Sequence, residues 1–95
     1  MTSKQRAYLK SLAANLDPVF HVGKASLTPE LTNAISEAFN NNELIKISVL
    51  KNCMDDAREI AENVAERTHS QVVHVIGKKF VLYKPDKKHP QIVLP

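Results

Sequence analysis

No tryptophan occurs in this sequence, and aromatic residues of every kind make up only 5% of it. A broad platform of rings on which nucleobases stack is therefore excluded. Cysteine appears once, at Cys53, so neither an internal disulfide nor a cysteine metal cage can form, which fits a reducing compartment. Glycine appears twice, at Gly23 and Gly77. A Walker-type nucleotide loop needs a second glycine ahead of its lysine and a hydroxyl after it at fixed spacing, and that pattern is missing. No apolar run approaches the roughly 20 residues that cross a bilayer. Met1 to Arg6 leads straight into an amphipathic pattern without the apolar core of a secretory signal. These absences predict a cytoplasmic protein with no membrane contact.

What is present suits one ordinary globular domain. The chain has 95 residues, 43% hydrophobic and 24% charged, enough for a single modest core. Residues 1–95 are expected to form one domain, with about 85–95 as a C-terminal tail. The net charge of +3 is unevenly spread. Lys4, Arg6, Lys10 and Lys24 face only Asp17 in the first 28 residues, and five lysines face only Asp86 after residue 70. The interior stretches 29–43 and 54–70 are each net acidic by three charges. If the two ends meet in space, one side of the molecule seeks polyanions.

Periodicity predicts seven elements. Ser3 is a plausible cap for a helix reaching about Ala14, with Leu9, Leu12, Ala13 and Leu16 as its buried stripe. Arg6 and Lys10, four apart, are expected to project together into solvent. Asp17-Pro18 ends that helix, and Val19 to Val22 reads as a short strand. Thr28, Pro29 and Glu30 form a strong helix start: a capping hydroxyl, a proline at the first helical position and an acid in the first turn. Leu31, Ala34, Ile35, Ala38 and Phe39 are its apolar face, and Asn40-Asn41-Asn42 should end it with a left-handed residue. Leu44 to Leu50 alternates, with Ile45, Ile47 and Val49 facing one way and Lys46 and Ser48 the other. A third helix is expected from about Met54 to Thr68. Strands at Gln71–Ile76 and Lys79–Lys84 flank Gly77-Lys78 as a hairpin, with Tyr83 in the core. The fold class is α/β, ordered α-β-α-β-α-β-β, a four-stranded mixed sheet packed with three helices.

The strand–loop–helix at residues 19–39 carries the chemistry. A helix start leaves backbone N–H groups unpaired and electropositive. Gly23 has no side chain to keep an anion from the backbone, and Lys24 adds a mobile ammonium. All three favour phosphate, and none can read a base.

Three segments carry a resemblance: Val22-Gly23-Lys24-Ala25-Ser26-Leu27-Thr28, Asn42-Glu43-Leu44-Ile45-Lys46-Ile47-Ser48-Val49, and Val75-Ile76-Gly77-Lys78-Lys79-Phe80-Val81-Leu82-Tyr83-Lys84-Pro85. Together they span nearly the whole chain, which resembles the YhbY family, the free-standing bacterial form of the CRM (chloroplast RNA splicing and ribosome maturation) domain. The resemblance implies a fold similar to the C-terminal domain of bacterial translation initiation factor three. It also implies RNA binding through a GxxG loop, comparable to the loop with which KH domains clamp backbone, and association with precursors of the large ribosomal subunit. Gly23 and Lys24 match that loop. Ser26 stands where the family has its second glycine, which alters the approach of phosphate on that side while leaving a hydroxyl able to donate. Ala25 and Thr28 complete the expected loop site. Lys4, Arg6, Lys10, Lys46, Lys78, Lys79 and Lys84 are expected to extend the RNA-binding surface.

Catalysis has no comparable support. His21, His69, His74 and His89 show neither helical i, i+4 spacing nor an HxH pattern. Asp55 and Asp56 would point to different faces of a helix, and Cys53 has no partner histidine in a recognisable motif. The expectation is a monomeric, non-catalytic protein without metal or cofactor whose partner is RNA, ribosomal RNA in the family reading. An adaptor that docks ribosomal proteins on its acidic helices is the alternative, and a nuclease is the least favoured reading.

Overall fold

Seven elements follow one another in the computed structural model, which describes all 95 residues. They are α1 (Ser3–Ala13), β1 (Phe20–Val22), α2 (Pro29–Ala38), β2 (Leu44–Val49), α3 (Ala57–Thr68), β3 (Gln71–Ile76) and β4 (Lys79–Tyr83). The strands lie in the order β1-β2-β4-β3. β1 runs parallel to β2, with Phe20 beside Ile47. β4 is antiparallel to both its neighbours, setting Ser48 of β2 and Ile76 of β3 opposite Lys79. The sheet is thus mixed and four-stranded, with three helices, as the pattern of elements predicts.

Alternation along the strands divides the core in two. Ile45, Ile47 and Val49 of β2 join Phe80 and Leu82 of β4 against α2 and α3, in a buried cluster of 14 residues. The opposite face holds a cluster of five: Leu9 and Ala13 of α1 with Val73, Val81 and Tyr83, flanked by Leu44 and, from the tail, Ile92 and Leu94. Burying one such aliphatic side chain contributes about 1.5–3 kcal/mol, so the first face carries most of the stability.

Several local expectations are corrected. Thr2, not Ser3, caps α1: its hydroxyl accepts from the Gln5 amide while the Gln5 side chain accepts from the Thr2 amide. That reciprocal arrangement outcompetes a lone serine because it satisfies two donors. Leu12 and Leu16 are 37% and 38% exposed, since the stripe that meets the sheet is only Leu9 and Ala13 wide. Ala34 is exposed; Thr32 takes the buried place beside Ile35, its hydroxyl donating to the Thr28 carbonyl. The segment Asn40–Asn42 turns without a left-handed residue: the amides of Asn41 and Asn42 both donate to the Ala38 carbonyl. α3 starts at Ala57 rather than near Met54, because Asp55 is drawn to Ser26 and Met54 lies 94% exposed.

Glu43 organises the C-terminal segment. It is buried, and its carboxylate accepts from the backbone amides of Asp86, Gln91 and Ile92, each at 2.7 Å. Three N–H donors compensate the carboxylate for the loss of water. Residues 86–92 are thereby folded back onto the α1 face, where the Gln5 side chain reaches the Pro95 carbonyl at 3.3 Å.

Candidate nucleic-acid interface

The parallel pairing of β1 with β2 places the turns that follow both strands side by side. The Leu50 amide donates to the Val22 carbonyl at 2.8 Å, and a Cβ on Gly23 would lie 3.7 Å from Asn52 Oδ1. Because β4 is antiparallel to β2, the β3–β4 hairpin turn arrives at the same end, and the Val49 amide donates to the Lys78 carbonyl at 2.6 Å. Three loops distant in sequence therefore meet: Gly23–Leu27, Leu50–Asn52 and Gly77-Lys78. They bring Lys24, Lys51 and Lys78 to one end of the sheet, all exposed, with Lys79 at the first position of β4. Lys51 was not among the expected site residues. Its placement comes from strand pairing, since a parallel pair sets its two following loops together.

Inside the first loop the donors are distributed differently from a simple helix-terminus site. Pro29 has no N–H, the Leu31 amide is capped by Thr28 Oγ1 at 3.1 Å, and the Thr32 amide reaches the Thr28 carbonyl. Thr28 thus serves the helix. The amides of Lys24, Ala25 and Leu27 donate to nothing within the chain, whereas that of Ser26 closes the turn on the Gly23 carbonyl at 2.9 Å. Unpaired donors therefore run along the loop tip, and in the first turn of α2 the Glu30 amide alone joins them. A Cβ at Gly23 would meet only ordinary van der Waals contacts, so packing does not demand a glycine there.

Ser26 sits at φ 57°, the left-handed region that favours glycine. Its hydroxyl donates to the Asp55 carboxylate, so the hydroxyl expected to meet phosphate already has an anionic partner. Glu59 stands nearby on the same shallow pocket. The α3 side of the loop is acidic, and phosphate is favoured on the side of Gly23, Lys24 and Lys51.

The remaining expected residues divide into three groups. Lys10 and Lys46 join Lys79 around a pocket between the end of α1 and the open part of the sheet. Lys46 Nζ donates to the Ala13 carbonyl at 3.4 Å, which suits the negative end of α1. Arg6 is a correction: it does not project with Lys10, because its Nη1 donates to the carbonyls of Val72 and Val73 at 2.7 and 2.8 Å. Those carbonyls flank the irregularity between Val72 and His74 in β3, so Arg6 pins a bulge. Lys4 is exposed in the first turn of α1, and Lys84 is half-buried beyond the far end of β4, roughly 17 Å along the strand from Lys79.

His21 and His74 lie on the two outer strands, about 14 Å apart by strand spacing. No group of three His, Cys, Asp or Glu side chains is placed to hold a metal ion, and Cys53 is buried. The His74 imidazole is held below its ordinary value of 6.5, first by burial and then by the charges of Lys10 and Lys46. Burial and the neighbouring Glu43 push the Tyr83 phenol up. No helix is long and apolar enough to cross a membrane.

The profile of the CRS1/YhbY (CRM) domain matches residues 1–84. The chain belongs to this family. It is 43% identical over 95 residues to the Bacillus subtilis protein named Probable RNA-binding protein YqeI, across all of this chain and 99% of that one. It is 34% identical over 88 residues to a Haemophilus influenzae protein named RNA-binding protein, covering 93% and 89% of the two chains. Among solved structures, the solution structure of the hypothetical protein SAV1595 from Staphylococcus aureus superposes with a TM-score of 0.84 at 43% identity, covering 100% of this chain and 99% of that one.

Proposed function

We propose that this CRM-domain protein is a non-catalytic RNA-binding protein that takes the phosphate backbone at the loop end of its sheet. It acts as a cytoplasmic monomer in assembly of the large ribosomal subunit, with precursor ribosomal RNA as its target. One observation carries the reading: three unconnected loops deliver Lys24, Lys51 and Lys78 to a single place beside the unpaired amides of Lys24, Ala25 and Leu27. Ammonium charges and free N–H donors both select phosphate oxygens. The relatives named as RNA-binding support the same class of ligand.

Fluorescence polarisation with large-subunit ribosomal RNA fragments at several salt concentrations tests it. Three to four displaced counterions give a log–log salt slope of roughly −2 to −3 on single strands. Lys24→Glu should weaken binding about tenfold and Lys87→Glu less than about twofold. A flat salt response, or equal losses in the two variants, counts against a defined site. The ribosomal role is checked by gradient sedimentation from cells: comigration with large-subunit precursors supports it, and comigration with free protein alone does not. Association that survives ribonuclease would favour instead an adaptor using the acidic faces of α2 and α3.

A further inference from the structure

The pocket under α1 differs in character from the loop end. Its volume is about 280 Å³. Ala13 and Ala14 on one wall and Ile76 and Val81 on the sheet make a smooth apolar lining. Lys10, Lys46 and Lys79 stand around it with His74, and no carboxylate lines it. Three cations beside a shared apolar cavity repel one another and lack a partner of opposite sign. An occupant with an anionic group on an apolar, hydrogen-bonding body would satisfy both features at once.

We infer that this pocket receives one unpaired nucleotide of the bound RNA, its base against the Ala13–Ala14 and Ile76–Val81 walls and its phosphate among Lys10, Lys46 and Lys79. The inference rests on the RNA-binding reading above and adds to it a preference for unpaired strands. At about 280 Å³ the volume falls just below the roughly 300–1,000 Å³ of drug-sized ligand sites, which suits one nucleotide rather than two. His74, held neutral near pH 7 by its surroundings, offers one N–H donor and one nitrogen acceptor, the complement that a base edge needs. The pocket also lies in line with the loop end. Lys79 borders it and directly follows Lys78 of the hairpin turn, so a strand held at Lys24 and Lys78 can pass a nucleotide inward. A base in a duplex cannot enter, because both its edge and its faces are occupied.

The test uses the full chain and chemical-shift mapping with AMP and UMP, against inorganic phosphate and N-acetylglutamate as controls. Nucleotides should shift the resonances of Ala14, Lys46, His74 and Ile76, which line or border the pocket. They should bind at least about tenfold more tightly than phosphate alone, since the base adds apolar and hydrogen-bonding contacts. Ala14→Glu, at an exposed position, should abolish these shifts and cost single-stranded RNA about tenfold in affinity by placing a carboxylate beside the bound phosphate. Lys87→Glu, outside both the loop end and the pocket lining, should leave the mononucleotide shifts unchanged. Phosphate or N-acetylglutamate matching the nucleotides would reduce the pocket to a plain anion site and overturn the inference. So would nucleotides that shift only Gly23–Leu27, or equal affinity for duplex and single strand. RNA binding that persists without pocket shifts sinks this inference alone, whereas loss of all RNA binding sinks the reading beneath it.

Discussion

The two faces of the sheet have been built for different ends. The face toward α2 and α3 is closed by 14 buried residues. The face toward α1 is closed by five, because one helix of 11 residues, about 16 Å long, covers only part of it. The uncovered part is where Lys46, Lys79 and His74 gather. Stability resides on the first face and the pocket inferred to take a nucleotide lies on the second, so neighbouring residues of a single strand serve different needs. Ile47 and Phe80 look toward the core, while Lys46, half-buried under the end of α1, and the exposed Lys79 lie on the opposite face.

The sharpest way to break this comparison is to exchange insults between the faces. Phe80→Ala, on the closed face, should cost about 3–5 kcal/mol of unfolding free energy. Lys46→Met, on the open face, should change stability by less than about 0.5 kcal/mol while lowering RNA affinity. Urea denaturation followed by circular dichroism reads both, and similar losses would erase the distinction. Next in size is Glu43→Gln. The amide keeps one acceptor and turns an NH₂ toward backbone donors, which should cost about 2–3 kcal/mol. Hydrogen exchange should then rise first at Asp86, Gln91 and Ile92, and uniform loosening across the chain would contradict the local account.

The loop end offers a smaller effect. Ser26→Ala loses the bond to Asp55 but keeps the positive φ, whereas Ser26→Gly loses the bond and relieves the backbone. The glycine variant should therefore be about 1 kcal/mol more stable than the alanine variant. Thermal melts of the pair measure that difference, and no difference would mean that the left-handed turn relaxes.

The gentlest perturbation is pH. His74 titrates below 6.5 when folded, so the unfolded chain binds more protons near that pH. Its contribution is present above pH 6.5 and is lost as pH falls through the lower folded value. Tyr83, raised above 10.0, acts in the opposite sense: its contribution is present below pH 10 and fades as pH climbs through the folded value. His74→Gln should flatten only the acid flank of the stability profile, and an unchanged flank would assign the loss to other groups.

Much of this was legible because it is local. The alternation of Ile45, Ile47 and Val49 determines which side of β2 is buried. Thr28-Pro29-Glu30 starts α2 at the expected residue, and Gly77, at φ 57°, turns the hairpin. The misreadings have a common cause, which is competition from distant partners. Arg6 looked like a solvent-facing base until β3 presented two carbonyls at its bulge. Asp55 looked like the first turn of a helix until Ser26 took its carboxylate. Lys51, His74 and Glu43 gave no local sign of special placement, because each gains its role from a strand order that no window of sequence contains.

The elements, their order, the α/β class and the loop proposed to take phosphate could all be read along the chain. Those follow from periodicity, caps and turn residues, whose physics operates within a few positions. Only the tertiary structure decided which charges act together. Inserting β4 between β2 and β3 carried the Gly77-Lys78 turn to the end of the sheet where Lys24 and Lys51 emerge. Electrostatic cooperation depends on separations in space, and strand pairing sets those separations.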